Sequence, residues 1–188
     1  MHAEVRGWIV DIMSGRSSLL AIAFRQRAKF EGWLKFELAA WAQEHGASAV
    51  SVEASPDPTS RSRSDVSFEV HGVAYHVELK TPNSNWRLPG VMDATRPITK
   101  NISEIAADAR KLARVADHGI VAFVLFPLPR ADVRWHEYLE RISSTLGTAL
   151  SSAEHTAQIT VPLSGSAFAD AVVCCFEVGG PTRGGAAA

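Results

Sequence analysis

Apolar residues recur at helical spacing over 18–45, where Leu19, Leu20, Ala23, Phe30, Leu34, Leu38 and Trp41 share one side of the chain. This predicts the main helix, with Gly46 as its stop. The run Ala49-Val50-Ser51-Val52-Glu53 predicts a short strand, and Pro56-Asp57-Pro58-Thr59-Ser60 a loop. Two further strands are expected at 66–70 and 73–79, joined through His71-Gly72 as a tight hairpin turn. Residues 81–100, with Pro82, Pro89, Gly90 and Pro97, then read as a loop of about 20 residues, a length that in compact domains usually serves function. An amphipathic helix over 101–115 places Ile102, Ile105, Ala106, Ala109 and Leu112 on one face. The unbroken apolar run from Ile120 to Phe126, closed by Pro127, has the pattern of a strand buried on both faces. A helix over 135–146 and strands at 158–161 and 171–178 follow. Helix, three strands, helix and strand in that order, with a later helix and strands, describe an α/β domain with a mixed central sheet flanked by helices. One domain is expected over 1–178, and the Gly-, Pro- and Ala-rich residues 179–188 read as a flexible tail.

Composition narrows the class without choosing a function. The 188 residues fit one domain, and 46% hydrophobic with 21% charged residues excludes a mainly disordered or fibrous chain. With a net charge of −1, a polyanionic partner has to be met by a local basic patch, or by a homodimer that assembles a shared basic cleft. Cys174 and Cys175 are adjacent, point to opposite faces of extended backbone, and fit a reducing cytosol. No stretch approaches the roughly 20 apolar residues of a membrane span. A cytoplasmic chain with no membrane partner is expected.

The informative chemistry lies in the hairpin. With His71 and Gly72 as the turn, Val70 pairs with Val73, and continuing outward Asp65 falls opposite Glu78. Directly opposed residues share a face, so two carboxylates stand within roughly 5 Å at their Cβ atoms and repel unless compensated. Alternation adds Lys80 to that face and sends Val66, Phe68, Tyr75, Val77 and Leu79 to the other. A hard divalent cation such as Mg²⁺ would resolve the repulsion, lower the pKa of a bound water and polarise a phosphoryl group. Lys80 would orient the attacking water or offset developing negative charge. On the main helix, Glu37 falls amid Phe30, Leu34 and Trp41, and a carboxylate on an apolar face suggests a site residue. Glu31, on the flank with Arg27 and Lys35 as neighbours one turn away, is the less favoured choice.

These residues resemble the PD-(D/E)XK nuclease superfamily, over about 30–126: a helix glutamate (Glu37), an Asp opening a hairpin (Asp65), Glu78-Leu79-Lys80 as the E-x-K element, then a helix and a strand. Ser64 stands where the motif name has proline. The resemblance implies a restriction-endonuclease-like α-βββ-α-β core, with Asp65 and Glu78 as metal ligands, Lys80 as the catalytic lysine and Glu37 as the helix carboxylate. It also implies Mg²⁺, or Mn²⁺ in its place, as cofactor and hydrolysis of a phosphodiester, most simply by an endonuclease acting on DNA. Nucleic-acid contacts are expected from Arg61 and Arg63 ahead of Asp65, and from Asn85, Trp86, Arg87, Arg96 and Lys100 in the long loop. Two other readings stay open: a nuclease-like binding or regulatory protein that does not cut, and a hydrolase of small phosphate esters.

Overall fold

Three helices open the chain where periodicity predicted one. In a computed structural model, which describes residues 1–55, 63–93 and 98–179, they are α1 (His2–Ser14), α2 (Ser17–Gln26) and α3 (Glu31–Glu44). The 18–45 segment breaks at Arg27, whose backbone turns into the left-handed region at φ 51. Helix α1 carries its own apolar stripe, Val5, Ile9, Ile12 and Met13, all buried. That spacing of four, three and one is the signature of one helical face.

The sheet follows from β1 (Ser48–Val52), β2 (Val66–Val70) and β3 (Val73–Lys80). After α4 (Ile98–Val115) come β4 (His118–Leu128), α5 (Trp135–Leu146), a short α6 (Ser152–His155), β5 (Thr156–Ser164) and β6 (Ala167–Gly179). The molecule is α/β, with a six-stranded open sheet in the order β1-β2-β3-β4-β6-β5. It is mixed: β3 and β4 run parallel, and every other neighbouring pair is antiparallel. From α3 to β4 the element order is the expected α-βββ-α-β. Strand β6 takes in Gly179, so the first residue of the expected tail belongs to the sheet. The late strands are also longer than the sequence suggested, because their ends alternate polar with apolar and so carry little hydrophobic signal.

Strand β4 explains its own composition. Ile120, Ala122, Val124 and Phe126 pack with α1, α2 and α3 on one face of the sheet, while Val121, Phe123 and Leu125 pack with α4 and α5 on the other. A strand between two helical layers needs apolar residues at both parities. The β2–β3 hairpin keeps the expected register, Val66↔Val77 through Val70↔Val73. His71 and Gly72 both have positive φ, 51° and 77°, as a two-residue turn of matching twist requires.

The segment after β3 is a strap packed against the protein. Pro82 and Ser84 exchange backbone hydrogen bonds with Phe126, at 3.1 Å and 2.6 Å. The Arg27 guanidinium donates to the carbonyls of Ser84 (2.6 Å), Met92 (2.5 Å) and Trp86, and the Asn83 amide donates to the Arg27 carbonyl. The left-handed turn that ends α2 therefore aims Arg27 into the strap. Arg27→Ala is expected to cost about 3 kcal/mol, since charge-assisted hydrogen bonds contribute about 1.5–3 kcal/mol each and are not additive. Limited proteolysis should then cut within 81–93, together with a lower melting temperature; a strap as resistant as in the parent protein would refute this role.

Candidate active site

The site lies where the β2–β3 hairpin opens, between α3 and α4. The ladder ends at Val66↔Val77, and Asp65 and Glu78 are the residues next to that pair on the two chains. Asp65 Oδ2 accepts the Leu79 N–H at 2.8 Å, which locks the carboxylate against the strand that carries Glu78 and Lys80. Lys80 Nζ lies 2.9 Å from Glu78 Oε1 and 3.2 Å from Asp108 Oδ2, so α4 also reaches the cluster. Asp65, Glu78 and Lys80 are thus brought together, each side chain about one-fifth exposed or less.

Glu37 is not brought into this group. Its carboxylate accepts the Trp33 indole N–H at 3.0 Å and faces Arg16 at 3.8 Å, and among the described residues no hydrogen bond or ion pair joins it to Asp65, Glu78 or Lys80. The helix carboxylate at the site is Glu31, whose Oε2 accepts the Thr81 N–H at 3.3 Å, one residue beyond Lys80. The reason is the true buried face of α3. Leu34, Leu38 and Ala42 form its centre, with Ala39 beside them. At about 100° per residue Glu31 and Lys35 fall in that sector, whereas Glu37 lies on the half-buried Trp33–Trp41 ridge. Large aromatic side chains suggested the wrong centre, and small alanines mark the right one.

Three more charged residues belong to the cluster. Lys35 Nζ contacts Glu53 Oε1 at 2.6 Å and Asp65 Oδ1 at 3.8 Å. The Glu53 N–H bonds the Asp65 carbonyl at 3.0 Å, with Glu53 in the left-handed region at φ 57. Asp108 is the third. The sequence clue was spacing alone: Lys35 sits one turn from Glu31, and Asp108 lies one residue from the apolar stripe of α4.

Electrostatics divide the cluster into roles. Burial pushes the Glu78 carboxyl above the ordinary glutamate value; the Lys80 hydrogen bond and charge oppose this, and Asp65 and Asp108 add to it. For Lys80, burial alone would lower the pKa, but the Glu78 hydrogen bond and the charges of Glu78, Glu31 and Asp108 more than reverse it. Lys80 is therefore a fixed ammonium. Lys35 is likewise raised, chiefly by its hydrogen bond to Glu53. His76, which lies 3.3 Å from the Ser64 hydroxyl, is held below its usual value by burial and stays neutral.

The donor chemistry fits a hard divalent cation, because Asp65, Glu78 and Glu31 offer only oxygen. In the arrangement described, Lys35 and Lys80 neutralise the carboxylates, and among the described residues no three His, Cys, Asp or Glu are gathered as a metal group. Of the expected nucleic-acid contacts, Arg61 and Arg96 lie outside the described residues. Arg63 and Asn85 are exposed. Arg87 is 90% exposed beside Asp93, and Lys100 is 79% exposed one turn from Glu104. Trp86 is a packing residue as placed: it touches both cores, lies 5.7 Å from the Tyr138 ring, and is covered by the Arg134 guanidinium at 4.5 Å. Among the described residues no helix is long and apolar enough to cross a membrane. No protein-family model, curated protein or solved structure matches this chain.

Proposed function

We propose that the chain is a metal-dependent nuclease of the PD-(D/E)XK type, hydrolysing phosphodiester bonds in DNA. The observation that carries this reading is Asp65 bonded to the Leu79 N–H between Glu78 and Lys80, with Lys80 paired to Glu78 and Glu31 supplied by the preceding helix. Asp65 and Glu78 are the residues that would hold Mg²⁺ or Mn²⁺, with the Glu31 carboxylate beside them on the Thr81 N–H. Such a cation supplies a bound water of lowered pKa and polarisation of the phosphoryl group. Lys80, its ammonium held by Glu78 and Asp108, offsets the charge that develops on the phosphate. Lys35 favours the ionised form of Glu53 and stands 3.8 Å from Asp65, holding the two carboxylates in place.

The lysine-neutralised carboxylates favour one second reading, a scaffold of the same type that binds nucleic acid without cutting it. Cleavage of supercoiled plasmid and single-stranded DNA with Mg²⁺, Mn²⁺ or EDTA separates the two. Cutting that EDTA abolishes supports the enzyme; no cutting with either metal leaves the binding scaffold.

The pH profile has a defined sign. Ionised Glu78 is the metal-binding form, and burial favours its neutral form in the metal-free protein, so at subsaturating Mg²⁺ cleavage should fall about tenfold per pH unit on the acid side, beginning above the ordinary glutamate value of 4.5. Initial rates between about pH 5 and about pH 10 would show this. At subsaturating Mg²⁺, an acid limb at or below 4.5 would contradict the raised Glu78 carboxyl.

A further inference from the structure

The loop that leads from β4 to α5 is pinned by a buried carboxylate. Asp170 on β6 is 6% exposed; it accepts the Ala131 N–H at 2.9 Å and the Thr160 hydroxyl at 2.7 Å, and Ala131 stands in the left-handed region at φ 57. Asp132 then accepts the Arg134 N–H at 2.8 Å and grips its guanidinium through Nε, at 3.0 Å and 2.9 Å, and through Nη2. So held, the guanidinium lies over the Trp86 indole, with Cζ 4.5 Å from the ring centre. The Arg134 side chain is still 54% exposed, and among the described residues its Nη1 makes no hydrogen bond. Anchoring the strap does not require it, because Arg27 already holds three strap carbonyls and the Ser84 hydroxyl donates to the Pro127 carbonyl.

The sheet sets where this arginine stands relative to Lys80. Strands β3 and β4 run parallel and end on the same side; Lys80 pairs with Phe123, and the strap continues alongside β4 to the Asn83–Phe126 bridge. Trp86 follows three residues later, within about 20 Å of chain from Lys80. Ligands of open α/β sheets gather beyond these carboxyl ends.

We propose that the outer face of the Arg134 guanidinium is a stacking platform for an unpaired nucleobase. A planar cation backed by an aromatic ring presents a surface that any base can cover, and a plane already held loses little freedom on binding. Arg87, the residue after Trp86 and 90% exposed, is the cation placed to meet the adjoining phosphate. On the nuclease reading, on which this identification of the ligand rests, the substrate carries a single-stranded stretch a few nucleotides from the cut. A plain duplex keeps its bases inside the helix and gains nothing from the platform. The base of a free nucleotide offers the same chemistry.

The test measures binding with EDTA present, so that cutting cannot intervene, for the full chain and its Arg134→Ala and Arg134→Lys variants, each below its measured melting temperature. Fluorescent single-stranded and duplex oligonucleotides of equal length are followed by anisotropy, and a mononucleotide by calorimetry. Both variants should weaken single-strand binding about tenfold, the size of one stacked base, and leave duplex binding unchanged. Arg134→Lys keeps the charge and loses the plane, so wild-type affinity in that variant would reduce the site to a surface charge and overturn the platform. Replacing the bases of the oligonucleotide by abasic sugars should cost the wild type more than it costs Arg134→Ala, a coupling that a merely structural role would not give. If neither variant alters single-strand binding while wild type cleaves plasmid with Mg²⁺, the platform is wrong and the nuclease reading stands. If the oligonucleotide binds with the expected sensitivity and neither metal supports cleavage, the platform stands and the nuclease reading falls. If only the mononucleotide binds, with the same sensitivity to both variants, the platform serves a free nucleotide and the polymer reading falls. Equal weakening of duplex binding, or binding of no ligand at all, overturns the platform.

Discussion

Asp65→Ala is expected to lower metal-dependent plasmid cleavage by about two to three orders of magnitude, the usual cost of removing one preorganised charged group from a reacting centre. Loss of activity alone would be ambiguous, because Asp65 Oδ2 also accepts the Leu79 N–H. Asp65→Asn resolves this. The amide oxygen can accept the same N–H, so the hairpin keeps its bond, while the charge that faces Lys35 and the hard donor both disappear. Both variants should lose cleavage, and Asp65→Ala alone should also lose about 1–2 kcal/mol of stability through the unpaired buried N–H. An active Asp65→Asn enzyme would remove Asp65 from the chemistry. In the same assay Glu31→Gln should slow cleavage and Glu37→Gln should not, since only Glu31 reaches the strand that carries Lys80.

The second large effect is on the fold. Phe126 is fully buried near the end of β4, with Phe24 and Phe30 packed on its ring at centroid distances of 4.9 Å and 4.8 Å. Phe24 belongs to α2, and Phe30 opens α3, so this aromatic knot joins both helices to the sheet. Phe126→Ala removes the shared ring and is expected to cost about 3–5 kcal/mol. At about 2–4 °C per kcal/mol for a chain of this size, the melting temperature should fall by about 10 °C. Phe126→Leu should recover much of the loss. Because Lys29 and Glu31 flank Phe30 in sequence, the variant should also lose cleavage at temperatures where it remains folded. A melting temperature within about 2 °C of the parent would show that the neighbouring rings close the gap.

The hairpin was legible because three local signals agree: alternation in two runs, a two-residue turn ending in glycine, and the strand length that sets Asp65 against Glu78. Strand β4 was legible for a similar reason, since an unbroken apolar run has few other uses. The N-terminal half was not. Nothing local in 18–45 marks Arg27 as a break, because the turn is stabilised by carbonyls of a strap more than 50 residues away. Glu31 was assigned to the flank of the main helix for want of knowing that Ala39 and Ala42 face the sheet, and an alanine contributes little to an apolar pattern. Lys35 looked like ordinary solvated helix charge, and nothing local singled out Asp108, until the mouth of the β2–β3 hairpin was placed beside them. Trp86, an apparent stacking residue in a polar loop, is one that both cores use.

The opposed carboxylates have a consequence for how the chain folds. Strands β2 and β3 are neighbours in sequence, so their hairpin is among the few sheet contacts that can close quickly, whereas the parallel β3–β4 pairing waits for the whole α4 crossover. When the hairpin closes first, Asp65 and Glu78 meet before α3 and α4 have docked. Lys80 is already on β3, but Lys35 arrives only with α3, and Asp108 fixes Lys80 only once α4 packs. The mouth of the hairpin therefore zips last, and the charge pattern that equips this edge for chemistry makes it the late-forming end of an otherwise early structure.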